Sequence, residues 1–147
     1  MSRFEALSEV RNYLNSISYI NNGGCGIAAL VMFRWMKKNR ISTKGVKFHF
    51  MERFDVNTIN NNKKYLKTKS GKPQATSHIG LIIDDITVDS TGIAYREMYP
   101  FHLVTKSINI LIEAINNVGS WCPFFDRNTI PTIEKDLGID LSDVVIS

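Results

Sequence analysis

Along the start of the chain Phe4, Leu7, Val10, Leu14 and Ile17 recur at spacings of three and four, which predicts a helix with one apolar face. Ser2 and Glu5 fit a capping box at its start, where a hydroxyl and a carboxylate satisfy free amides. Tyr19-Ile20-Asn21-Asn22-Gly23-Gly24 breaks it. The run Cys25 to Met36 is apolar nearly all round at its beginning, so it predicts a second helix that is buried early on. That helix turns polar at Lys37-Lys38-Asn39-Arg40, where basic residues suit the negative helix C-terminus. Val46, Phe48 and Phe50 then alternate with Lys47 and His49, the period-two pattern of a strand. Residues 57–72, rich in Asn and Lys, read as a long loop.

The next segment predicts a β-hairpin: His78 to Ile83, a tight turn near Asp84-Asp85, and a return over Ile86 to Ser90. Tyr95 to Val104, with Pro100 inside it, reads as extended or irregular. Ile108, Leu111, Ile112 and Ile115 mark an amphipathic helix stopped by Asn116-Asn117-Val118-Gly119. A last short helix starts near Pro131 and ends at Leu137-Gly138, glycine supplying a left-handed stop. Helices lead, strands cluster and helices return. That order is α+β rather than alternating βαβ, and a chain of 147 residues with no linker or repeat reads as one domain, 1–147.

Composition narrows the function classes. Apolar residues at 44% and charged residues at 22% exclude a disordered or fibrous chain. The longest apolar run, Ile27 to Phe33, is seven residues, against ~20 for a membrane-spanning helix. The start, Met1-Ser2-Arg3-Phe4-Glu5, has no apolar signal core, so the expected compartment is the cytoplasm. The net charge of +4 is uneven, with five lysines between Lys63 and Lys72. Only Tyr65 interrupts them as an aromatic, so the cluster reads as a solvated loop and not as a nucleic-acid face. Two cysteines and no His/Cys pair at ligand spacing lead us to expect no metal, no cofactor and no disulfide framework.

Cys25 carries the most chemical information. It follows Asn-Asn-Gly-Gly and opens a buried helix. A helix N-terminus favours a thiolate through free amides and the macrodipole, and the same amides can bind an oxyanion. The glycines leave room beside the sulfur for a substrate carbonyl. The competing reading is a buried core cysteine, a common fate for this residue type. His78 opens an otherwise apolar strand, with Gly80 next on its face. Asp89 lies in the returning strand and can accept the imidazole N–H, which would fix its tautomer. Asp84 and Asp85 sit at the far end of the hairpin and read as turn formers. His49 and His102 carry no comparable pattern. Trp121 and Cys122, in Trp121-Cys122-Pro123-Phe124-Phe125, read as structural.

Asn22-Gly23-Gly24-Cys25-Gly26-Ile27-Ala28-Ala29-Leu30, His78-Ile79-Gly80-Leu81-Ile82-Ile83 and Val88-Asp89-Ser90-Thr91-Gly92 together resemble the papain-like (clan CA) cysteine peptidase superfamily. The similarity is to its small bacterial and phage members, such as bacteriocin-processing peptidases, and covers residues 20–36 and 77–92. The resemblance implies a nucleophile-bearing helix packed on a small antiparallel sheet, with Cys25 as nucleophile, His78 as base and Asp89 as orienting residue. Many members place a Gln six residues before the Cys to complete the oxyanion hole. Tyr19 stands there in this chain, and Asn22 or Asn21 is the alternative donor, although Asn is also a plain turn former.

The function expected is a cysteine-dependent acyl-transfer hydrolase, with peptidase or isopeptidase action on a protein or peptide substrate as the lead case. Deamidation and transglutamination use the same residues. The alternative is a catalytically inactive papain-like binding protein of phage or bacterial origin.

Overall fold

The computed structural model describes residues 1–52, 77–94, 99–118 and 124–146. The loop read over 57–72, the lysine cluster, Trp121 and Cys122 lie outside the described residues. The first helical stretch is α1 (Arg3–Ala6) followed by α2 (Ser8–Asn15). Ser2 Oγ accepts the Glu5 amide as the capping pattern requires. One continuous helix was the expectation; instead the chain tightens at Leu7, whose amide reaches both Arg3 and Phe4 carbonyls. The shared bond is the mark of a local 3₁₀-type turn. The apolar stripe survives it, because Leu7, Val10 and Leu14 are all fully buried.

Helix α3 (Cys25–Lys38) is the central element, buried continuously from Cys25 to Met32. It lies on a five-stranded antiparallel sheet of β1 (Lys47–Glu52), β2 (His78–Ile83), β3 (Ile86–Asp89), β4 (Gly92–Ile93) and β5 (Phe101–Thr105), in the order β4-β3-β2-β1-β5. Phe48, Phe50, Ile79, Leu81, Ile83 and Val88 belong to the same apolar cluster as α3. Period-two alternation therefore sends Lys47, His49, Met51, Gly80 and Thr87 to the other face, while His78, the first residue of β2, stands at the strand end close to Cys25. β5, within the stretch expected to be extended or irregular, is an edge strand that pairs His102 with Met51 and Val104 with His49.

The β2–β3 turn is the two-residue connection expected. Asp84 and Asp85 both have positive φ, 51° and 65°, as a type I′ turn requires. Arg3 secures this turn: its guanidinium pairs with the Asp84 carboxylate at 2.7 Å and donates to the Ser42 and Lys44 carbonyls. Helix α4 (Ile108–Val118) runs through Asn116 and Asn117 rather than stopping before them. Part of the reason is that Asn116 has tertiary partners: its side chain bonds the Asp143 carbonyl and the Val145 amide. Helix α5 (Ile130–Leu137) ends at Gly138, which is left-handed at φ 64°. Among the described residues no helix is long and apolar enough to cross a membrane.

Candidate functional site

The site forms where the first turn of α3 meets the start of β2. Close packing brings the two together. A Cβ on Gly26 would stand 2.9 Å from Ile115 Cγ1 and 3.0 Å from Ile79 Cδ1, so only glycine lets α4 and β2 approach the helix start this tightly. One residue earlier, a Cβ on Gly24 would lie 2.6 Å from the Ile20 carbonyl and 2.9 Å from the Phe125 ring. The room at Gly24 is thus filled by the protein itself. Gly23, at φ 103°, turns the chain into the helix. Among the described residues no side chain caps α3, whose N-cap is Gly24, so its first-turn amides at Cys25, Gly26 and Ile27 meet no side-chain cap there.

His78 and Asp89 meet through strand register. Leu81 pairs with Val88, and continuing that register sets Gly80 opposite Asp89, which makes His78 and Asp89 diagonal neighbours on one face. His78 Nε2 donates to Asp89 Oδ2 at 2.7 Å. The Cys25 thiol is the other group close enough to act on the imidazole, since with Asp89 it raises the His78 pKa. With Nε2 committed to the carboxylate, Nδ1 is the nitrogen left for the sulfur. Cys25, His78 and Asp89 are 9%, 9% and 7% exposed, so the set is nearly removed from water. Burial works against the imidazolium, but the hydrogen bonds and charges of Asp89 and Cys25 outweigh it and push the His78 pKa up to about 9. Burial also works against the Asp89 carboxylate, yet hydrogen bonds from His78 and Thr91 hold its pKa below the usual range. The ring of Tyr99 stacks near His78, with centroids 6.3 Å apart and planes at 17°.

Several supporting residues have no counterpart in the sequence reading. Asp89 Oδ1 accepts the Thr91 amide at 2.8 Å and the Thr91 hydroxyl, an Asx-type turn that fixes the carboxylate. Ser90 is fully buried. Its carbonyl accepts Asn15 Nδ2 and its hydroxyl accepts Asn21 Nδ2, each at 2.8 Å. The turn after Asp89 is therefore tied both to α2 and to the loop that delivers Cys25. The Asp-Ser-Thr-Gly run is the signal that could have revealed the Asx turn. Of the two asparagines read as oxyanion donors, Asn21 gives its amide to Ser90. Asn22 is exposed, and its backbone amide donates to the Tyr19 carbonyl.

Gly80 leaves space on the His78 face, as expected, but the protein fills it. A Cβ there would be 2.7 Å from Thr87 Cγ2 and 3.5 Å from Met51 Cε. His49 is buried at 3% exposure, with Nδ1 2.7 Å from Thr87 Oγ1 and Nε2 2.8 Å from His102 Nδ1. Among the described residues no group of three or more His, Cys, Asp or Glu is placed to hold a metal ion. The Cys25–His78–Asp89 arrangement can move a proton from sulfur to imidazole and stabilise the resulting imidazolium. No protein-family model, curated protein or solved structure matches the chain.

Proposed function

We propose that the chain is a papain-like, cysteine-dependent acyl-transfer hydrolase, with peptide or isopeptide bonds as substrates. The observation that carries this reading is an imidazole bonded to a buried carboxylate and close enough to a thiol at a helix start for that thiol to raise its pKa. A structural cysteine has no need of such a partner, and a structural histidine at a strand end has no need of both.

In the proposed reaction the Cys25 proton rests on His78, and the sulfur attacks the substrate carbonyl carbon. The C–S bond forms as the carbonyl π pair moves to oxygen. The first-turn amides of α3 receive that oxyanion, which gives the backbone the role sought for Asn21 and Asn22. Collapse breaks the C–N bond, and His78 gives its proton to the leaving amine. Water then attacks the thioester while His78 takes a proton from it. The C–S bond breaks, the acid leaves and the thiol regains its proton through His78. Asp89 holds the ring by Nε2 throughout and balances the imidazolium.

The test is hydrolysis of a mixed peptide library followed by mass spectrometry. New amine termini are expected with the wild type and not with Cys25→Ser or His78→Ala. Equal product from all three proteins would contradict the reading.

A further inference from the structure

We propose that Tyr19 and Phe124 form a substrate subsite that grips an apolar side chain of the peptide acyl donor close to the scissile bond. This rests on the thiol-hydrolase reading and names its specificity determinant. Two layers build the feature. In the lower layer the buried residues Ile20 and Phe125 close on Gly24, the residue before Cys25. In the upper layer their chain neighbours Tyr19 and Phe124 pack against each other as a tilted pair, with ring centroids 5.8 Å apart and planes at 34°. The lower pair is core. The upper pair is 56% and 66% exposed.

Neither ring serves the core from there, and exposed large aromatics set side by side mark contact surfaces. Tyr19 is also held at φ 61°, a left-handed conformation that is strained for a bulky residue. Asn or Gly would fill that backbone position without the strain, so it is the ring that the position retains. The pair is anchored through Ile20 and Phe125 to the residue next to the nucleophile. A side chain resting against the exposed side of this ring pair therefore belongs to a substrate residue near the bond under attack. Two aromatic faces carry no formal charge, which favours an aliphatic or aromatic residue over a charged one.

The experiment measures covalent labelling of Cys25 by peptidyl acyloxymethyl ketones that differ only in the residue beside the reactive carbonyl: Leu, Phe, Gly or Asp. Iodoacetamide, which has no peptide portion, serves as reference. Tyr19→Asn keeps a residue that tolerates the left-handed backbone, and Phe124→Ala truncates an exposed ring, so both variants retain the fold. The Leu and Phe probes are expected to react about tenfold or more faster than Gly and Asp, and each variant to remove most of that preference with the iodoacetamide rate unchanged. Equal rates for all probes, or a preference that survives both variants, would overturn the subsite while iodoacetamide labelling still depends on His78. Labelling of Cys25 that is independent of His78 with every reagent would overturn the hydrolase reading, and the subsite with it.

Discussion

His78 Nε2 lies 2.7 Å from Asp89 Oδ2, across a hairpin whose turn is only two residues long. Both groups are buried, and the pair links folding to pH. The His78 pKa is raised from 6.5 to about 9, so its stabilising contribution is complete below 6.5 and lost as pH rises through 9. The Asp89 pKa is lowered, so its contribution is present above the unfolded carboxylate range and lost as pH falls through the folded value. Asp89→Asn retains a hydrogen-bonding side chain and removes the charge. Thermal melts from neutral to alkaline pH are expected to show a smaller decline in this variant than in the wild type. Hydrolytic activity is expected to fall ~10²-fold or more, because the imidazolium loses its counter-charge. Parallel melting curves would contradict the charge pairing.

Ser90 joins α2, the Cys25 loop and the Asp89 turn through two bonds from asparagine side chains. Ser90→Ala removes the hydroxyl and strands Asn21 Nδ2, for an expected loss of ~1–3 kcal/mol in denaturant unfolding. Asn21→Ala should lower activity as well, through movement of the loop. If oxyanion binding uses backbone amides alone, Asn22→Ala leaves kcat within about threefold of wild type, since removal of a true oxyanion donor costs ~10²-fold or more.

Gly24 has no space for a side chain. A Cβ would meet the Ile20 backbone oxygen at 2.6 Å, and backbone cannot swing aside as a side-chain tip can. Gly24→Ala is expected to cost ~1–3 kcal/mol in urea unfolding and to reduce Cys25 reactivity by displacing the helix start. A variant as stable and reactive as wild type would show that the loop yields freely.

Glu52 is a buried carboxyl at the end of β1, 3% exposed, with Oε1 unpartnered among the described residues and Oε2 3.5 Å from the Ser77 hydroxyl. Burial pushes its pKa up to about 8 against the lowering effect of the Ser77 hydrogen bonds. The folded state therefore keeps a proton that the unfolded chain has released, and stability declines as pH rises from 4.5 to about 8. Glu52→Gln removes this dependence. Its melting temperature is expected to match wild type in acid and to exceed it above pH 8, as read from melts across that range. A constant offset would contradict the buried, proton-holding carboxyl.

The hairpin and the helix starts are legible in the sequence because their signals are local. Alternation over His78 to Ser90 sets the strand faces, the Asp-Asp pair marks the turn, and the spacing from His78 to Asp89 follows from both. The Gly-Gly-Cys run marks a helix start for the same reason. Ser90 is not legible, since its partners lie 75 and 69 residues away and meet it only after folding. His49 and His102 likewise come together through β1–β5 pairing, 53 residues apart. The room read beside Gly80 belongs to Thr87 and Met51, a matter of tertiary packing that periodicity does not encode. The helix over Ile108–Val118 passes its Asn pair because Asn116 bonds a distant segment, a tertiary gain that outweighs local propensity.

The most direct measurement is the rate of Cys25 alkylation against pH, followed by mass spectrometry, in the wild type and His78→Ala. Cys122 provides the internal comparison, with its access checked under denaturing conditions. If the thiol and imidazole form a working pair, Cys25 is expected to label rapidly from mildly acidic buffer upward in the wild type. In His78→Ala that rapid labelling is expected to fall by ~tenfold or more and to move to alkaline pH. Slow labelling of an accessible Cys25, with the same profile in both proteins, would contradict a working thiol–imidazole pair and leave a binding protein as the better account.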